Sequence, residues 1–225
     1  MRRHAATIVV LALLIGTAVA FAETERLKVE PTPIEESFVQ PAFSPVCGCA
    51  LARAEIRLRL HRADRVSLRV RDAADHTVRL LIDDRRLPRG RSELEWDGRD
   101  DAGTRLPDGR YHVEVHLARA DRTFRLPQSI ALDTVAPTAR LVRTSDGVTP
   151  GERFRIFYRV SEAAHGVLYV DGKRVAVTHT KLRSAKLDWR PRRARRYRLQ
   201  LAAQDLAGNI GPRTPVFTVR VHSSA

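Results

Sequence analysis

Side chains able to ligate a metal, form a disulfide or attack a carbonyl are few in this chain, and each group sits in a pattern that sets its chemistry. His112, Glu114 and His116 alternate along one extended segment, so all three fall on the same face. Same-face neighbours on a strand stand about 7 Å apart, so a metal shared by two of them needs a ligand from a neighbouring strand. The competing reading is a solvated strand face. Cys47-Gly48-Cys49 sets two thiols either side of a glycine. A bridge between them closes a small ring that Gly48 helps to accommodate; pairing between chains and metal ligation are the alternatives. Asp133, Asp205 and Asn209 carry the oxygens that hold calcium where tandem modules meet, although Asp205-Leu206-Ala207-Gly208-Asn209 is also good turn chemistry without an ion. Ser161, His165 and Asp171 supply the residue types of a hydrolytic triad, but no nucleophile elbow surrounds the serine. Phosphate loops and dinucleotide fingerprints are absent from the sequence. The expectation is a protein that is not an enzyme and has no cofactor other than the calcium candidate.

The elements that position these residues read as strands. Ile56, Leu58 and Leu60 alternate with arginines, as do Val66, Leu68 and Val70, with Val78 and Leu80 continuing the pattern. Leu94-Glu95-Trp96 leads through the turn signals Asp97-Gly98, Ala102-Gly103 and Pro107-Asp108-Gly109 into Tyr111 to Leu117, followed by Thr123 to Leu132. Leu132 to Pro137 then breaks the alternation. Beyond it Phe154, Ile156, Tyr158 and Val160 alternate, and Val167–Val170 and Val175–Val177 flank the hairpin signal Asp171-Gly172. Leu187-Asp188-Trp189 repeats Leu94-Glu95-Trp96 after 93 residues, and Tyr197 to Leu201 repeats Tyr111 to Val115 after 86. The order is the same in both halves, which is the signature of a tandem pair.

The Trp96-Asp97-Gly98 … Asp108-Gly109-Arg110-Tyr111 order, roughly within residues 50 to 132, resembles the Ig-like domain found in flagellar hook-capping proteins and, as a module, in many bacterial surface proteins. The Tyr111 position has the form of a tyrosine corner. Ala202 to Asn209 followed by Phe217, Val219 and Val221 resembles the last hairpin of bacterial Ig-like repeats. The expected fold is all-β: two tandem immunoglobulin-like β-sandwiches, at 46–134 and 138–225, after an N-terminal apolar helix and a Pro-containing stalk. Hook capping itself is not carried over, because the chain lacks room for the capping protein's other regions.

Arg2 and Arg3 precede an uncharged run of 18 residues, Ala5 to Ala22. Residues 1–22 read as a signal peptide or a transmembrane signal anchor, and either implies export. Residues 23–45 carry Pro31, Pro33, Pro41 and Pro45 among four glutamates from Glu25 to Glu36 and read as a stalk. Net charge is −1 for residues 1–45, +3 for 46–137 and +12 for 138–225. Nine cations, Lys181, Arg183, Lys186, Arg190, Arg192, Arg193, Arg195, Arg196 and Arg198, face only Asp188 within their stretch. Such a run attracts polyanions, and in an exported protein anionic lipid headgroups or acidic wall polymer fit better than nucleic acid. The alternative is a solvated, arginine-rich surface. The expected role is a non-catalytic cell-envelope structural or adhesive protein that also meets other envelope proteins; the alternative is an accessory or glycan-binding module that positions a separate wall-modifying enzyme.

Overall fold

The computed structural model describes residues 13–18, 21, 32–179 and 182–223. Residues 13–18 of the apolar run are helical, and the rest of the signal or anchor segment lies outside the described residues apart from 21. Among the described residues no helix is long and apolar enough to cross a membrane.

Among the described residues fourteen strands build the remainder. Before Pro137 they are β1 (Ile34–Val39), β2 (Ala42–Phe43), β3 (Ala54–Leu60), β4 (Asp64–Arg71), β5 (Thr77–Leu87), β6 (Gly90–Trp96), β7 (Gly109–Leu117) and β8 (Arg122–Leu132). One sheet has the order β1-β3-β6 and the other β2-β8-β7-β4-β5. Alternation fixes which side chains meet between them. Ile56, Leu58 and Leu60 point inward from β3, Val66, Leu68 and Val70 from β4, and Tyr111, Val113, Val115 and Leu117 from β7.

The stalk expectation for residues 23–45 is corrected from Ile34 onward. β1 pairs antiparallel with β3, the chain crosses at Pro41, and β2 pairs in parallel with β8 in the opposite sheet. Val39 and Phe43 are core residues. Pro41 permits the crossing because it sits between the two strands, where its carbonyl still accepts from the Ala131 N–H.

After residues 133–138, which form no strand, come β9 (Ala139–Thr144), β10 (Phe154–Val170), β11 (Lys173–Val177), β12 (Leu182–Trp189), β13 (Arg196–Gln204) and β14 (Phe217–Arg220). β10 is 17 residues long and belongs to both sheets. Its first half lies between β9 and β12; its second half lies between β11 and β13, with β14 beyond. The register shifts between Arg159 and Ala164, where the strand passes from one layer to the other. Gly166 makes that corner possible: a Cβ there would stand 2.3 Å from the Tyr158 ring. The β10–β11 hairpin turns on Asp171 and Gly172 with φ of 49° and 81°, as its sequence requires.

Two large clusters of buried residues result, one running from Val39 to Leu132 and one from Val148 to Val221, with a small third of Val167, Tyr169 and Ala202 within the second strand set, and no strand of one set pairs with a strand of the other. Asn209 Nδ2 nevertheless donates to the Asp133 carbonyl at 2.9 Å across the junction.

Candidate functional site

The two aromatic corners set the frame. The Trp96 indole N–H donates to the Arg99 carbonyl at 3.0 Å, and its ring lies between Phe43 and Tyr111 at 5.3 and 5.0 Å. The Tyr111 hydroxyl donates to the Pro107 carbonyl at 2.7 Å, closing the tyrosine corner. In the second copy Trp189 lies between Phe154 and Tyr197, and the Tyr197 hydroxyl donates to the Arg193 carbonyl at 3.1 Å. These aromatics serve packing, since Trp96, Tyr111, Phe154 and Tyr197 are all buried.

The candidate chemical groups are each held by neighbours. Glu114 accepts from Arg71 Nη1 at 2.7 Å, and His116 Nδ1 lies 3.2 Å from the Thr123 hydroxyl. His112 is pushed below the usual imidazole range, first by burial and then by the Arg125 charge. Among the described residues no three His, Cys, Asp or Glu side chains gather as a metal-binding group. His112, Glu114 and His116 thus lie on a strand face engaged with adjacent strands. Cys47 and Cys49 are joined to each other as a disulfide, and Gly48 takes φ of 59° between them.

Asp205 and Asn209 do meet: the Asn209 N–H and Nδ2 donate to the two Asp205 oxygens at 2.9 and 2.8 Å. The Asn209 amide therefore turns a donor toward Asp205 and the Asp133 carbonyl, where a calcium site needs oxygen. The arrangement is a hydrogen-bonded clasp. Burial raises the Asp133 carboxyl above the usual range, with Asp205 and Asp108 adding to it against the Val135 N–H bond. Burial raises Glu162 likewise, with Asp133 and Asp205 adding.

Ser161, His165 and Asp171 are engaged separately. The Ser161 hydroxyl accepts from the Thr138 N–H, His165 Nδ1 donates to the Thr178 carbonyl at 2.6 Å, and Asp171 takes the Arg198 N–H and Arg195 Nη2.

The structure divides the basic run. Lys181 lies outside the described residues. Lys186 points outward from β12, while Arg183 stands near Glu162, whose carboxyl it partly offsets. Arg190, Arg192 and Arg193 lie in the loop before β13. Arg195 is tied to Asp171 at 2.7 Å and covers the Tyr197 ring at 3.8 Å. Arg196 and Arg198 point outward from β13, in the opposite layer of the sandwich. What reading along the chain missed is the sheet β9-β10-β12, where Arg140, Arg143 and Arg159 come beside Lys186. Arg140 and Arg159 are cross-strand partners, and Phe157 is opposite both Arg143 and Lys186. Arg143, Phe157, Arg159 and Lys186 line a shallow groove of about 380 Å³ with Val142 and Ser184. The signal available in sequence was the alternation of Arg155, Phe157 and Arg159 between inward-facing apolar residues.

No curated protein matches the chain. Among solved structures, fibronectin(III)-like modules of CbhA from Clostridium thermocellum align with a TM-score of 0.47 at 12% identity, over 84% of this chain and 95% of that one. The FN1–FN3 domains of chicken CNTN1 align with a TM-score of 0.45 at 15% identity, over 82% and 63%. Residues 52–121, the β3-to-β7 region of the first sandwich with its Trp96 and Tyr111 corner, match the family model described as the FlgD Ig-like domain.

Proposed function

We propose that the protein is an exported, non-catalytic component of a bacterial cell envelope, in which tandem Ig-like sandwiches form a structural or adhesive element and the basic second sandwich contacts anionic envelope polymer. The observation that carries this reading is the charge imbalance of residues 138–225, where cations exceed carboxylates by 12. The carboxylates available are shared: Asp188 already serves Arg153 and Arg155, and Asp171 serves Arg195. The remaining guanidinium groups present an uncompensated field that attracts polyanions. The FlgD Ig-like match and the uncharged run behind Arg2 and Arg3 support an extracytoplasmic setting.

Two measurements test it. A reporter enzyme active only outside the cytoplasm, fused after residue 223, gains activity if residues 1–22 direct export; an inactive but stable fusion refutes export. Co-sedimentation of the full chain with purified acidic wall polymer should fall steeply with added salt, because exposed charges are screened over about 8 Å at physiological ionic strength. Failure to sediment at low salt refutes polymer contact.

A further inference from the structure

The outer face of β9-β10-β12 departs from what a solvated sheet face requires. Arg140 and Arg159 stand directly opposite each other on neighbouring strands, an arrangement that costs stability when the charges are alike. Among the described residues neither pairs with a carboxylate, and the same holds for Arg143 and Lys186. The three strands bear two acids. Glu162 is in the layer-switching segment of β10, within reach of the Asp133 and Asp205 charges, and Asp188 is held at the far end by Arg153 and Arg155. The fold thus holds four cations together without a counter-ion of its own.

Phe157 is the second departure. It occupies the middle strand of a solvent-facing surface, where a polar residue is usual. Its partners are the outward Lys186 on one side and Arg143 on the other, and the Arg143 guanidinium lies 3.9 Å from its ring centroid. A register shift in the β9–β10 pairing brings Val142, 50% exposed, to the surface beside Arg143. The Phe157 ring thus seats the Arg143 guanidinium beside Arg140, Arg159 and Lys186, an arrangement that suits a ligand carrying repeated negative charge.

We propose that this face, with Phe157 as floor and Arg140, Arg143, Arg159 and Lys186 as anion-binding groups, is a binding platform for an acidic polysaccharide. The inference rests on the polymer-contact reading above and locates it. Guanidinium groups match carboxylate geometry with paired donors, and the Phe157 ring holds the Arg143 guanidinium in place. A lipid surface fits less well, because the Phe157 ring is covered by the Arg143 guanidinium instead of standing beyond the cations. On the export reading above, acidic glycan and not nucleic acid is within reach.

The test uses the full chain with polygalacturonate, neutral dextran and phosphatidylglycerol vesicles as probes. Arg140→Ser with Arg159→Ser removes two charges from the platform; Arg196→Ser with Arg198→Ser removes two from the opposite layer; Phe157→Ala removes the floor without changing charge. Near-UV circular dichroism confirms that each variant keeps its packed core. The expected result is polygalacturonate binding weakened roughly tenfold or more by the platform pair, a loss of about 1.4 kcal/mol. Phe157→Ala also weakens binding, the opposite-layer pair stays within about twofold of wild type, and dextran does not bind. Equal weakening by both arginine pairs overturns the platform while leaving a basic, polymer-binding sandwich. Unchanged binding by Phe157→Ala also overturns it. Vesicle binding without polygalacturonate binding replaces glycan with lipid, and no binding to either removes the polymer-contact reading as well.

Discussion

Truncating Trp96 to alanine tests whether the first sandwich stands on its own core. The indole is 0% exposed, lies between the Phe43 and Tyr111 rings, and donates to the Arg99 carbonyl. Removing a buried aromatic of this size costs about 3–5 kcal/mol. The hydrogen bond adds little to that, because Arg99 is exposed and water replaces the indole donor. In a domain of up to about 100 residues each kcal/mol lowers the melting temperature by roughly 4–8 °C, so the first transition should fall by at least about 12 °C. The chain has only two tryptophans. In the variant, fluorescence therefore reports Trp189, packed against Phe154 and Tyr197 in the second cluster, while far-UV circular dichroism reports both sandwiches. The expected outcome is a dichroism trace that splits, with its early step displaced and the Trp189 transition within a few degrees of wild type. If the Trp189 transition falls by the same amount, the two clusters unfold as one unit and the assignment of the cost to a single core is refuted. No displaced step at all would refute the packing argument for Trp96.

The remaining expectations are more local. Tyr111→Phe deletes one corner hydrogen bond and Tyr197→Phe two, to the Arg193 carbonyl and from the Arg193 N–H, and each should cost about 1 kcal/mol or somewhat more in urea unfolding, with each effect confined to its own sandwich. Gly211→Ala should block folding of the junction, since a Cβ would stand 1.6 Å from the Pro137 carbonyl oxygen; Gly103→Ala, with nothing within 4 Å but φ of +79°, should lower stability only modestly. Backbone donation from Arg198 and then the Arg195 side chain hold the Asp171 carboxyl below the usual range. Its contribution is therefore present above the ordinary carboxylate pKa and lost as pH falls through the lowered value. Asp171→Asn should flatten the acid limb of second-sandwich stability, as followed by Trp189 fluorescence during acid titration. Asp133 and Glu162, raised by burial, act in the opposite sense, losing stability as pH rises from the ordinary value through the raised one. Asp133→Asn should accordingly weaken the dependence near the top of that window.

Where one face of a strand is buried and the other wet, the sequence is readable, and this is why β3, β4 and β7 follow directly from Ile56-x-Leu58-x-Leu60, Val66-x-Leu68-x-Val70 and Tyr111-x-Val113-x-Val115. The two tryptophan–tyrosine corners were legible for a related reason: large aromatics and turn residues at matching offsets leave few packings. β1 was not legible, because its pairing with β3 shifts register between Ile34 and Glu36. Ile34–Val39 consequently shows no clean alternation, and the prolines on either side of it read as a stalk. β10 was legible as two short strands but not as one strand joining two layers, since that depends on Tyr158 lying over Gly166, a contact eight residues apart with no local pattern.

Charge shows the limit most clearly. Nine cations between Lys181 and Arg198 looked like one patch because they are neighbours along the chain, yet a strand sends alternate side chains to opposite faces and β12 and β13 belong to different layers. Arg195 is spent on Asp171 and Tyr197, and Arg196 and Arg198 face away from Lys186. The cations that do gather with Lys186 come from β9 and β10, 27 to 46 residues earlier in the chain. Their meeting is decided by register: Arg159 falls opposite Arg140, and Phe157 falls between Arg143 and Lys186. A slip of one residue in the β9 pairing would turn Arg140 and Arg143 inward, and one in the β12 pairing would turn Lys186 inward. The core therefore fixes the platform, since the same apolar alternation that holds Ile156 and Tyr158 inward holds Arg155, Phe157 and Arg159 outward.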